Sequence, residues 1–229
     1  SMTNSSIIGN SCPSSGGGIY QAESCTLRLV NVNIDNNISS SQGGGLYSGG
    51  DFTALASTFN LNTANTGGGI FSEGGNNEYI ADTLLQCIIQ GNITNAHGAG
   101  IYIYDYQDIY VVNALITDNV AGTSESSNLY GGGVYAYLNS SAGYSDFINC
   151  TIANNNVYGS NGQGSGFYRG SGDFRFLNTI VWHNEAANDA NIEGYIEEIT
   201  YSNIEGGYQG VGNIDLDPLF VDPDNGDFT

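Results

Sequence analysis

An all-β fold of short stacked coils, a β-solenoid, is predicted by three features of this 229-residue chain. A Gly-rich triplet followed by an aliphatic and then an aromatic residue recurs from Gly16 to Tyr20, Gly43 to Tyr47, Gly67 to Phe71, Gly98 to Tyr102, Gly131 to Tyr135 and Gly164 to Tyr168, at spacings of 27, 24, 31, 33 and 33. An apolar residue three positions ahead of an Asn precedes each triplet, as Ile7/Asn10, Ile34/Asn37, Phe59/Asn62, Ile89/Asn92, Ile116/Asn119 and Ile152/Asn155, and returns once more at Val181/Asn184. Gly triplets and β-branched runs also disfavour helix throughout. Two signals in one register, at a period of a few tens of residues, mark stacked units that each cover their neighbour's open face.

The segment before each Asn reads as strand. Five positions ahead of the Asn stand Ser5, Val32, Ser57, Cys87, Ala114, Cys150 and Thr179, and seven ahead stand Val30, Leu55, Leu85, Val112, Ile148 and Leu177. Residues two apart lie on one side of a strand, so both columns are expected on one buried face. The Asn itself suits a corner, because it tolerates left-handed backbone and its amide can hydrogen-bond from coil to coil. From that Asn to the next triplet the gap is six, six, five, six, twelve and nine residues, which places insertions at Val120 to Tyr130 and Asn156 to Gln163. After each triplet the aliphatic residue should face inward and the aromatic outward, giving a column of Tyr20, Tyr47, Phe71, Tyr102, Tyr135 and Tyr168 with a second one through Tyr104 and Tyr137. The stretch Val181 to Phe220 lacks the triplet, so irregular coils are expected from about residue 181 of a single domain, 3–229. Ser1-Met2 reads as a cloning remnant, and the chain as a piece of a longer one.

Composition bounds the function. The chain has no Lys and three Arg against 23 Asp plus Glu, a formal charge of −20. Such a surface repels phosphate backbones and anionic membranes, which argues against nucleic-acid binding. No run of 18 apolar residues is present, so direct membrane insertion by this chain is not expected.

The repeats resemble those of right-handed parallel β-helix proteins of bacterial and archaeal cell surfaces. The GGGIY-like triplets and Phe59-Asn-Leu-Asn62 are similar to the GGA[ILV] and FxxN repeats of the chlamydial polymorphic outer membrane proteins, a family of autotransported adhesins, and Gly212 to Phe228 resembles the closing segment of many secreted β-helix domains. The resemblance covers about residues 6 to 204 and implies a right-handed parallel β-helix of about eight coils in a secreted or surface-anchored protein. The same fold also carries enzymes resembling pectate lyases and polygalacturonases, so the site must decide.

Candidate chemistry is sparse. A polyuronate lyase resembling those families needs basic groups, and this chain offers Arg28, Arg169 and Arg175. Arg169 and Arg175 lie close in sequence and could hold a carboxylate or pair with nearby acids. Glycoside hydrolysis asks for two converging carboxylates, one of raised pKa; Asp105, Asp108 and Asp118 are the candidates, with solubilising charge as the alternative. His97 and His183 lie near corners of different coils without a nucleophile at motif spacing. Eleven of the 23 acids fall between Glu185 and Asp227, and Asp222, Asp224 and Asp227 cluster oxygens suited to calcium; a turn-rich acidic tail explains them equally. No other cofactor is expected. Cys87 and Cys150 share one column two coils apart, too far for a disulfide, whereas Cys12 and Cys25 could pair.

The most distinctive feature is the tyrosines. Exposed phenols present an apolar ring and a polar tip, a combination suited to binding, and Tyr102, Tyr104, Tyr135, Tyr137 and Tyr168 are the candidate ligand-binding residues. The alternative is that the rings merely stabilise neighbouring strands. The expectation is a non-catalytic, adhesin-like or structural surface module that binds glycan or protein, with a carbohydrate-active enzyme, glycosidase before lyase, as second reading.

Overall fold

Like strands of successive coils pair in parallel throughout the computed structural model, which describes residues 1–74, 82–105, 108–122, 128–138, 144–187 and 191–228. The strands that follow the Gly triplets, such as Ile101–Asp105 and Val134–Leu138, form a seven-stranded tyrosine sheet. A 14-stranded sheet wraps two further sides; its strand Leu27–Asp35 spans both, and later coils split it into pairs such as Phe52–Leu55 and Thr58–Asn60. Two-residue strands such as Ile93–Thr94 make a third, seven-stranded sheet. The chain is therefore a parallel β-solenoid of about seven turns, against about eight expected. Beyond Ile204 the chain adds to the stack through backbone bonds from Tyr201 N–H to Val211 O (2.8 Å), Ile204 N–H to Ile214 O (3.0 Å) and Ile214 N–H to Ser202 O (2.9 Å), and through Asn213, whose Oδ1 accepts the Ser202 N–H at 3.0 Å. It then turns away, and Gly226 comes back beside the Gln90 side chain, 3.0 Å from where a Cβ would sit.

The main core is a system of apolar columns: Ile34, Phe59, Ile89, Ile116, Ile152 and Val181 stack on one side, and Leu46, Ile70, Ile101, Val134 and Phe167 on another, all fully buried. Burial of this kind drives assembly at about 25 cal/mol per Å² of apolar surface.

The triplet's first and third glycines have separate physical reasons. The first has positive φ in every coil, for example +64° at Gly98, where a Cβ would lie 2.9 Å from Tyr102 Cβ. The third abuts the next coil: a Cβ on Gly100 would stand 2.5 Å from Gly133 O and 3.0 Å from Asn119 Nδ2. At the middle position a Cβ would also crowd backbone, 2.4 Å from Gly68 O at Gly44 for example, yet Ala99 and Ser165 occupy it in two coils, Ala99 in contact with a small cluster of Ala121, Leu129 and Val157.

Asn37, Asn62, Asn92, Asn119, Asn155 and Asn184 form a continuous buried ladder. Each backbone N–H and Nδ2 donates to the Oδ1 of the Asn one coil on, as from Asn92 to Asn119 at 3.0 and 2.9 Å, while Nδ2 also donates back to a carbonyl, as from Asn119 to Ile89 O at 3.0 Å. The ladder ends where Asn184 donates to Asn191, whose amide in turn donates to Glu205 at 3.2 Å. The left-handed corner residue is not the ladder Asn but the one before it: Asn36, Leu61, Asp118, Asn154 and His183 have φ between 51° and 57°.

A second left-handed column corrects the expected strand parity. Asn31, Ala56, Gln86, Asn113, Asn149 and Asn178 have φ of 48° to 55° and sit between the two columns predicted to share a face. Each such residue turns the chain and breaks the period-two alternation. Val32, Ser57, Cys87, Ala114 and Cys150 accordingly point into the core, whereas Val30, Leu55, Leu85, Val112 and Ile148 are only half-buried and Leu177 is 36% exposed, all on the outer face.

Candidate functional site

The tyrosine sheet places its aromatic residues in strict register, Tyr20 beside Tyr47, Phe71 beside Tyr102, Tyr102 beside Tyr135 and Tyr135 beside Tyr168. Their rings stack on one another, with centroids 4.9 Å apart for Tyr20–Tyr47, 4.8 Å for Phe71–Tyr102, 4.6 Å for Tyr102–Tyr135 and 5.4 Å for Tyr135–Tyr168. The column is outward, as expected, but not a flat exposed stripe. Tyr47 and Phe71 are buried, Tyr102, Tyr135 and Tyr168 half-buried, and ring faces are spent on neighbouring rings so that edges and hydroxyls meet solvent. Burial and the neighbouring hydroxyl of Tyr135, to which it hydrogen-bonds, push the Tyr102 phenol above its ordinary range. Tyr47 is pushed up too, by burial and then by the Glu73 carboxylate that accepts its hydroxyl.

Tyr104 and Tyr137 form a second column beside the first, 6.1 Å apart with planes at 19°, and Tyr137 is 36% exposed. Two members escaped the sequence reading. His97 and Tyr130 occupy successive positions just before the triplet glycines, and those left-handed glycines let both rings fold across onto the column. His97 lies 5.0 Å from Tyr130 and 5.3 Å from Tyr135, and Tyr130 lies 4.4 Å from Tyr168. The imidazole Nδ1 accepts the Tyr130 N–H at 3.2 Å, and burial lowers its pKa, which favours the neutral ring. Position directly ahead of Gly98 and Gly131 was the available signal. The result is a seven-ring cluster on coils four to six: His97, Tyr102, Tyr104, Tyr130, Tyr135, Tyr137 and Tyr168.

The acids divide. Asp108 has its pKa raised by burial, then by the charges of Asp146 and Asp173. Asp146, however, is held by Arg175 through two bonds of 2.7 and 2.8 Å, and the guanidinium lies 4.3 Å from the Tyr144 ring centroid. Arg169 pairs with Glu197 at 3.2 Å and with Asp173 at 3.7 Å. Both arginines are thus engaged with acids of this chain. Asp118 is a corner residue that accepts Gln90 Nε2 at 2.9 Å, and the side chain of Asp105 lies outside the described residues. His183 is likewise a left-handed corner, its N–H bonded to Glu205 at 2.7 Å.

The acidic tail forms a tight turn, Pro223–Asn225, closed by backbone bonds between Asp222 and Asp227. Both Asp222 carboxylate oxygens accept the Asn225 amide, at 3.0 and 2.9 Å. The side chain of Asp224 lies outside the described residues, and among those described no three His, Cys, Asp or Glu groups converge as metal ligands. All four cysteines are free thiols, including Cys12 and Cys25, which were expected to be able to pair. Among the described residues no helix is long and apolar enough to cross a membrane. No family model, no curated protein and no solved structure matches this chain.

Proposed function

We propose that this solenoid is a non-catalytic recognition module that binds a neutral glycan along the outer face of its tyrosine sheet. The carrying observation is the pair of adjacent aromatic columns on coils four to six, where Tyr104 and Tyr137 stand beside the stacked Tyr102, Tyr135 and Tyr168. Stacking fixes the rings before any ligand arrives, so little side-chain entropy remains to be lost on binding. The open rims and hydroxyls supply what a sugar chain needs, apolar surface for its C–H groups and donors for its hydroxyls. A charge of −20 favours a neutral chain over an acidic one. The similarity of the repeats to those of the polymorphic outer membrane proteins supports an adhesin-like role at a cell surface.

The test is affinity electrophoresis through gels containing neutral or acidic polysaccharides. Retardation by a neutral polymer, reduced about tenfold in affinity by Tyr104→Ala with Tyr137→Ala, is the expected result, a loss in the range of two truncated aromatic anchors. Absence of retardation in every gel, or retardation unaffected by the double substitution, overturns the proposal.

A second reading rests on Asp108, a carboxyl whose pKa is raised by burial and then by the charges of Asp146 and Asp173. That is the electrostatic setting of a general acid in a glycosidase. Release of new reducing ends by the protein, abolished in Asp108→Asn, would replace the binding proposal with this one.

A further inference from the structure

The stripe of Val30, Leu55, Leu85, Val112, Ile148 and Leu177 is a run of aliphatic side chains left on the outside of the long sheet by the left-handed corners. Backbone register places them directly above one another, and Thr200 continues the column. At six inter-strand steps the column is about 29 Å long. Beside it runs a second outward column that begins with Arg28, passes Tyr110 at its middle and ends with Glu198. An apolar strip of this length on a chain with so much charge marks an interaction surface.

The arrangement of charge along the strip identifies the occupant. Arg28 is exposed at one end and has no ion-pair partner among the described residues, in a protein with only two other cationic side chains of Lys or Arg type. Glu198 is exposed at the other end. Tyr110, 40% exposed, and Val112 lie midway, with three coil steps to either end. Turning a second copy over by a two-fold axis parallel to the strands, through Tyr110 and Val112, sets Arg28 of each copy against Glu198 of the other. The same operation sets Leu55 against Leu177, Leu85 against Ile148, and Val112 against itself. Asp146, Arg175, Glu198, Ile148 and Leu177 already shape a depression of about 320 Å³ at the Glu198 end, where Asp146 is held by Arg175 and the Glu198 carboxylate is the one to receive an incoming guanidinium. Isologous self-pairing of this kind is how most soluble dimers are built, and face-to-face sheet packing supplies the geometry.

We infer that this strip is a self-association surface through which two copies of the chain pack antiparallel, long sheet against long sheet. The interface is narrow, two outward columns wide, so it belongs to the weak class held by the apolar centre and given its direction by the two end pairs.

Sedimentation velocity on the full chain between about 1 and about 300 µM, at physiological ionic strength where long-range repulsion is screened, tests it. A monomer–dimer equilibrium within that range is expected. Val112→Asp puts two carboxylates against each other on the axis and should weaken dimerisation more than tenfold; Arg28→Glu and Glu198→Arg should each weaken it about tenfold by placing like charges at both ends. Mixing those two single variants restores complementary pairs at both ends, so the mixture should dimerise as the parent does although neither component does alone. That rescue does not depend on Val112→Asp folding, which circular dichroism checks separately. A protein that stays monomeric at the highest concentration overturns the inference, as does a dimer indifferent to Val112→Asp or a mixture that fails to recover. A strip that instead binds a different partner shows itself as the monomeric outcome.

Discussion

Replacing Asp82 by Asn isolates the one carboxyl that, among the described residues, this fold encloses completely. Asp82 stands in the inward column that other coils fill with Leu27, Phe52, Ile109, Ser145 and Phe174. It is fully buried, accepts the Phe52 N–H at 2.9 Å and is bonded to the Ser72 hydroxyl. Burial pushes its pKa from 3.8 up to about 8, with a further push from Asp51 that the two hydrogen bonds only partly oppose. The sign follows directly: the folded pKa lies above the unfolded one, so Asp82's contribution to stability is fully present below pH ~4 and is lost as pH rises through about 8. At about 1.4 kcal/mol per pH unit, the loss across that window is on the order of 5 kcal/mol. Asn keeps both hydrogen bonds, accepting from Phe52 and donating to Ser72, and cannot ionise. Urea unfolding of parent and Asp82→Asn at pH 5, 6.5 and 8 reads the effect, and the difference between the two chains removes the background of the other acids. The difference should favour the variant increasingly from pH 5 to 8. Parallel stability curves, or a variant that loses ground as pH rises, would show that Asp82 titrates as an ordinary carboxyl and that its enclosure is not as described.

Three further outcomes are expected. Asn119→Ala removes the amide that serves Asn92, Asn155 and Ile89, leaving buried partners unsatisfied at a cost of about 4 kcal/mol, whereas Asn10→Ala at the first coil should cost about 1 kcal/mol; paired thermal melts decide, and equal losses would mean the ladder is not cooperative. In the native protein a thiol reagent should modify exposed Cys25 readily and leave Cys87 and Cys150, buried and pushed up to about 11 and about 12, until unfolding; native labelling of either buried thiol contradicts the packing. Trp182, the single tryptophan, is 7% exposed on the outer side of its strand, in the column of Gln90 against which Gly226 lies. Truncation after Leu216 should therefore shift its emission to the red, and an unchanged spectrum would mean that the returning segment does not cover it.

Much of this architecture can be read from residue order, because the constraints that repeat are steric and local. The triplet glycines answer to a left-handed turn and to the carbonyl of the next coil, and the ladder Asn to a fixed corner. The outward turn of Val30 and Leu55 was harder to read: Asn31, Asn113, Asn149 and Asn178 carry a preference for the left-handed backbone that breaks the alternation, but Ala56, Gln86 and Tyr201, which have none, interrupt the column. Asp82 reads as a loop acid because nothing near it in sequence signals enclosure; Ser72 and Phe52 meet it only through coil stacking. At the candidate site, the tyrosine register was legible and the consumption of ring faces was not. Stacking depends on the sub-turn placement of side chains, and His97 and Tyr130 joined the cluster through glycine corners that also shape the backbone.

The corner columns divide the solenoid's four turns into two kinds. Those at the Asn ladder and at the Asn31-type residues are a single left-handed residue in every coil, with no freedom to lengthen. The other two vary: Ser48 to Phe52 in one coil becomes Leu138 to Ser145 in another, and the stretch from ladder Asn to triplet ranges from five residues to twelve. Both variable turns flank the tyrosine sheet, one along each edge. A foreign loop grafted at either would therefore stand as a wall beside the aromatic columns without disturbing the stacking register beneath, so the borders of that face can be retailored coil by coil while the scaffold is left alone.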